Sequence, residues 1–144
     1  MASLAEIQGF LGAKRIAIAG VSRNPRDFTR MLFREFRDCG YDVVPVNPNL
    51  AEVDGIPCVA HIADISPPAE AALLLTRPGM SAFLAADCVR AGIRRIWMYR
   101  AAREAPPEGV SLIAGECPFM FLSKTHGIHR LHGFCRKLVG TYPQ

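Results

Sequence analysis

The stretch Lys14-Arg15-Ile16-Ala17-Ile18-Ala19-Gly20-Val21-Ser22-Arg23-Asn24-Pro25, with its continuation Tyr41-Asp42-Val43-Val44-Pro45-Val46-Asn47-Pro48-Asn49, decides the fold. Ile16 to Ala19 is short and continuously apolar, the pattern of a parallel strand buried on both faces. It stops at Gly20, and a turn rich in Ser, Asn and Pro follows. Phe28, Met31, Leu32, Glu35 and Phe36 then recur at helical spacing up to a stop at Cys39-Gly40. Val43, Val44 and Val46 form the next apolar run. The unit is strand, helix, strand with a right-handed crossover, and its first turn lies where such sheets hold phosphates.

The flanking sequence continues the alternation. Ser3 can cap a short helix with Leu4, Ile7, Phe10 and Leu11 on one face. From Leu50 to Pro68 the pattern is irregular, with turn residues at Val53-Asp54-Gly55-Ile56-Pro57 and a short strand expected near Cys58-Val59. Ala71 to Leu75 reads as a third buried strand, and Thr76-Arg77-Pro78-Gly79 as a turn into a helix carrying Met80, Phe83, Leu84 and Cys88. Arg95 to Tyr99 and Val110 to Ala114 complete a set of about five strands. Ile128, Leu131, Phe134, Cys135 and Leu138 would share one face of a closing helix. The expected fold is α/β: a Rossmann-like, doubly wound, mainly parallel sheet with helices on both faces. The 144 residues suit one domain, with a C-terminal helical extension from about residue 118.

Half of the chain is apolar and 21% is charged, which excludes a disordered protein. No apolar run is long enough to cross a bilayer, and Met-Ala-Ser-Leu-Ala-Glu-Ile lacks a signal peptide's order, so the expected location is cytoplasmic. The five cysteines, with no Cys-x-x-Cys pair, read as reduced and buried. The formal charge is +4, and Arg23, Arg26, Arg30, Arg34 and Arg37 all fall on the first turn and its helix. Arg30, Arg34 and Arg37 follow i, i+4, i+7 spacing and read as a solvated face. Arg23 and Arg26 lie in or beside the turn and are the better ligand candidates. No basic run is interleaved with aromatics, so nucleic acid is not the expected partner.

Ligands of open α/β sheets sit at the carboxyl ends of the strands, which here carry Gly20-Val21-Ser22-Arg23, Asn47-Pro48-Asn49, Thr76-Arg77-Pro78 and Tyr99-Arg100. Gly20 allows a tight turn, and Ser22, backbone N–H groups and the helix N-terminus can donate to a phosphate. The dinucleotide fingerprint is incomplete: Ser22 stands where the second glycine belongs, and the second strand ends in Val46-Asn47-Pro48 without a carboxylate for a ribose diol. NAD is disfavoured on that ground, although Arg23 could serve a 2′-phosphate. No Walker motif is present.

Gly20-Val21-Ser22-x-Asn24-Pro25, Gly40-Tyr41-x-Val43-x-Pro45-Val46-Asn47-Pro48-Asn49 and Ile96-Trp97-Met98 resemble the small stand-alone CoA-binding proteins. These in turn resemble the CoA-binding domain of the succinyl-CoA synthetase α subunit. The likeness runs from about Lys14 to Cys117. It implies that the cofactor is coenzyme A, held through its adenosine 3′,5′-diphosphate part. It puts Gly20, Val21, Ser22 and Arg23 near the diphosphate, Asn47 and Pro48 by the adenosine, and Thr76, Arg77 and Pro78 across the cleft. Arg23, Arg26 and Arg77 are available for the 3′-phosphate. Trp97 and Met98 read either as core or as an apolar cleft wall.

The synthetase relatives use a phosphorylated histidine in a further domain, which the resemblance does not extend to. The expected function is binding of CoA or an acyl-CoA without catalysis, as a carrier, sensor or regulatory subunit, with a homo-oligomer or protein partner left open. Three alternatives stand beside it: a CoA-thioester enzyme with Cys117 or a tail histidine in the chemistry, an NAD(P)-binding redox-sensing domain, and a domain that has lost its ligand. His126, His129 and His132, spaced i, i+3, i+6, cannot all share one helical face, so no metal site is expected.

Overall fold

A computed structural model describes residues 2–101 and 105–122. The tail histidines, Cys135 and the closing helix expected over 128–139 lie outside the described residues.

Helix α1, Leu4–Leu11, begins with a reciprocal cap: Ser3 accepts from the Glu6 N–H, and the Glu6 carboxylate accepts from the Ser3 N–H. The main sheet is built from β1, Arg15–Ala19; β2, Asp42–Val46; β5, Ala71–Leu74; β6, Arg95–Met98; and β7, Ser111–Ala114. All its pairings are parallel, in the order β2-β1-β5-β6-β7. The intervening β3, Glu52–Val53, and β4, Ile56–Pro57, form a small antiparallel ribbon over residues that read as irregular from sequence. Its turn is Asp54-Gly55, both at positive φ (+49° and +81°), the pairing a tight hairpin turn demands. The strand expected near Cys58-Val59 reduces to a single parallel bridge, Val46 to Val59.

Alternate residues of the strands feed two cores. Ile16, Ile18, Val43, Leu73, Trp97 and Ile113 face α1 (Ile7, Phe10, Leu11) and α2, Phe28–Asp38 (Leu32, Phe33, Phe36). Ala17, Ala19, Val44, Val46, Ala72, Leu74, Ile96 and Met98 face the other way, toward Ile62 and helix α3, Pro78–Arg90. The short α4, Pro118–Leu122, packs beside α2. Burial on both faces explains why the strands read as unbroken apolar runs. No helix among the described residues is long and apolar enough to cross a membrane.

Candidate functional site

β1 is flanked by β2 on one side and β5 on the other, so successive connections leave in opposite directions. This topological switch point opens a crevice at the carboxyl ends of β1 and β5. Gly20 stands there at φ +90°, and a Cβ on it would lie 2.7 Å from the Thr76 backbone nitrogen. Only glycine lets the two strand ends approach this closely.

Two recesses meet at that point. One, of about 460 Å³, is lined by Gly20, Ser22, Asp27, Thr29, Thr76, Arg77 and Arg100 among others. The other, of about 380 Å³, has apolar walls from Ala19, Val46, Pro48, Met80 and Leu84, with Asn47, Asn49, His61 and Asp87 at its edges. Gly20, Thr76 and Met80 belong to both, so the recesses form one crevice with a cationic end and an apolar end.

The loop after β1 is held from within. The Ser22 N–H donates to Thr29 Oγ1 at 2.9 Å, the Asn24 N–H to Ser22 Oγ and the Arg26 N–H to Asn24 Oδ1. Helix α2 starts only at Phe28 and is capped by Asp27, whose carboxylate accepts the Thr29 N–H and hydroxyl. The Thr29 side-chain hydrogen bond, followed by that from its backbone, holds the Asp27 carboxyl below its ordinary pKa. A carboxylate therefore occupies the N-terminus of α2, the position expected from sequence to attract a phosphate. Helix α3 differs. Its N-cap is Arg77, no side chain caps it, and Pro78 occupies its first turn.

The sequence candidates separate accordingly. Gly20, Ser22, Asn47, Pro48, Thr76 and Arg77 are brought together on the crevice. Arg23 is exposed at the rim, where its guanidinium donates to the Asn49 carbonyl at 2.7 Å and links the first loop to the second. Arg26 and Pro78 are exposed but line neither recess, and the Val21 side chain turns into the core. Of the two readings for Trp97 the structure has the core one: it is wholly buried, packed edge-on against Phe10 at 5.2 Å, and its Nε1 donates to the Glu116 carbonyl. Met98 likewise takes the core reading, because its side chain falls on the α3 face of the sheet. Cys117 follows β7, two strands beyond β5 or about 10 Å across the sheet, and lines neither recess.

Sequence reasoning overlooked Asp27, Thr29, Met80 and His61, and named Arg100 only as part of a strand end. Asp27 and Thr29 carried a signal, since a short polar pair before a helical run is a capping motif. Arg100 directly follows β6, another strand end facing the crevice. Among the described residues no group of three His, Cys, Asp or Glu converges as a metal site.

Relatives and solved structures share this framework. Over 67 residues the chain is 37% identical to the uncharacterized protein YneT of Bacillus subtilis (strain 168), covering 46% of this chain and 50% of that one. The chain thus spans about half the length of that curated relative. A hypothetical protein from Pyrococcus horikoshii OT3 superposes with a TM-score of 0.72 at 23% identity, covering 85% of this chain and 91% of the other. A dinucleotide-forming acetyl-coenzyme A synthetase 1 of Ca. Korarchaeum cryptofilum, in complex with phosphate and ADP, gives 0.57 at 22% identity over 62% of this chain and 20% of its own. At these identities the structural likenesses establish the fold. The CoA binding domain family matches residues 14–120, the whole sheet and the whole crevice, and the chain belongs to that family.

Proposed function

We propose that the protein binds coenzyme A, or an acyl-CoA, through its adenosine diphosphate part, and does so without catalysing a reaction. The observation that carries this reading is the crevice at Gly20, with a cationic recess on one side and an apolar recess on the other. The donor set fits the coenzyme. Arg77 and Arg100 suit a diphosphate, the close approach at Gly20 leaves backbone open to it, and the walls at Val46, Pro48 and Met80 suit an adenine ring. Arg23 stands at the rim for the 3′-phosphate. Asp27 at the start of α2 opposes any pyrophosphate there, the coenzyme's as much as a dinucleotide's, so the diphosphate is assigned to the Arg77 side of the recess. The NAD(P) reading is disfavoured by the missing carboxylate after β2. The non-catalytic reading rests on the extent of the family match, which is to a CoA binding domain over residues 14–120.

Calorimetric titration of nucleotide-stripped protein with CoA, dephospho-CoA and NADPH tests the proposal. Micromolar or tighter CoA binding is expected, with dephospho-CoA weaker and NADPH weaker still. The absence of CoA binding, or a preference for NADPH, would overturn it. Arg23→Ala should weaken CoA more than dephospho-CoA, and equal weakening would remove Arg23 from the 3′-phosphate.

A further inference from the structure

The arginines of α2 do not form a uniformly solvated face: Arg34 and Arg37 are half-exposed, but Arg30 is not. Arg30 is 9% exposed, and its guanidinium turns back under the crevice loop, donating to the carbonyls of Ser22 and Arg23 at 3.2 Å each. Its other terminal nitrogen meets Asp54 Oδ1 on the turn of the β3–β4 ribbon. Arg34 binds the second Asp54 oxygen through Nε at 2.8 Å and donates to the Pro25 carbonyl at 3.0 Å. Arg37 approaches the same carboxylate at 3.8 Å. One aspartate of the ribbon thus gathers the arginine stripe, and two of those arginines hold three carbonyls of the loop that borders the ligand crevice.

A buried guanidinium is costly unless an anion answers it. Within the described residues the Arg30 Nε is buried without a hydrogen-bond partner, so Asp54 and the loop carbonyls are its compensation. Without Asp54, Arg30 gains by swinging to solvent, and the Ser22 and Arg23 carbonyls lose their donor. We infer that Arg30 and Asp54 are positioning residues for the ligand loop: their ion pair fixes the backbone of Ser22 and Arg23 beside the crevice and couples the ribbon to ligand affinity. The part concerning affinity rests on the coenzyme A reading; the part concerning the loop does not.

The test uses the full chain with Asp54→Asn, which removes the charge while suiting the turn, since Asn tolerates the positive φ of residue 54. Arg30→Lys is the second variant, retaining the charge but not the forked reach. Asp42→Asn, which breaks the Arg15–Asp42 pair at the opposite end of the sheet, is the control. Two quantities are measured on folded protein: amide hydrogen exchange at Asn24 and Arg26 without ligand, and the dissociation constant for CoA. The expectation for Asp54→Asn and Arg30→Lys is faster exchange at both amides and CoA binding weakened by roughly tenfold, with the control unchanged. A role confined to holding the ribbon on the fold would lower the melting temperature but move neither quantity. Unchanged exchange in both variants overturns the inference, as does affinity within about twofold of the wild type despite faster exchange. If the wild type itself gives no CoA signal, the coenzyme reading fails, and the exchange rates still decide whether these residues position the loop.

Discussion

Two helices begin at the crevice, and they begin differently. The chain leaving β1 takes a detour through residues 20–27, each turn of it tied by side chains, and enters α2 under an Asp27 cap. The chain leaving β5 enters α3 almost at once, at Arg77-Pro78, and no side chain caps it. The first border is tied by its own side chains, and its hydrogen-bonding groups are largely spent internally. The second has its first-turn donors uncapped and carries an exposed arginine. A phosphate-bearing ligand would take its shape from the first border and its charge-assisted hydrogen bonds from the second.

Substitution at the meeting point should break both borders. In Gly20→Ala the new Cβ would sit 2.7 Å from the Thr76 nitrogen at a φ of +90°. We expect a loss of about 3 kcal/mol in stability, read by denaturant unfolding, together with loss of CoA binding. Full stability in this variant would mean that β1 and β5 separate at little cost.

Charge removal at the second border comes next. Arg77→Ala should weaken CoA by about tenfold in calorimetry with the melting temperature unchanged, because Arg77 is exposed. An unchanged affinity would move the diphosphate away from α3.

Asp27→Ala sharpens the contrast from the other side. Loss of the cap should lower the melting temperature by a few degrees. CoA affinity should hold or rise, since a carboxylate lining the cationic recess opposes an anion. A fall in affinity would indicate that Asp27 contacts the ligand.

The smallest effect is expected from pH. Asp54 is held below its ordinary pKa chiefly by its hydrogen bond with Arg34 and also by Arg30, Asp27 by Thr29, and Glu70 by the N–H groups of Lys14 and Arg15. Each folded-state pKa lies below the unfolded value, so the stabilisation is complete above the unfolded pKa and is lost as pH falls through the folded one. The melting temperature should therefore be flat from pH 7 to about 5 and decline below about 4. A decline already under way between pH 7 and 6 would point to groups other than these carboxylates.

Much of the fold was legible because its signals are local. Ile16 to Ala19, Ala71 to Leu75 and Arg95 to Tyr99 read as strands, and the structure places them side by side. The same compositional reading left Trp97 open between core and cleft wall, because a strand buried on both faces has no polar residue to mark which face a ring takes. The arginine stripe of α2 was misread for a related reason. Spacing at i, i+4, i+7 puts Arg30, Arg34 and Arg37 on one face, but the acid that receives them, Asp54, is some twenty residues further along in a segment without periodicity.

From the sequence alone came the order of strands and helices, the glycine at the end of β1, and the lack of a carboxylate after β2. These depend on backbone propensity and on residues close together in the chain. Tertiary structure alone decided that β5 inserts beside β1, so that Gly20 meets Thr76 and the crevice exists. It also decided that Asp27 fills the start of α2 and that Asp54 draws the arginines beneath the loop. Those outcomes depend on which strand pairs with which and on where a charge finds its partner in space, and the energy of such long-range contacts has no period along the chain.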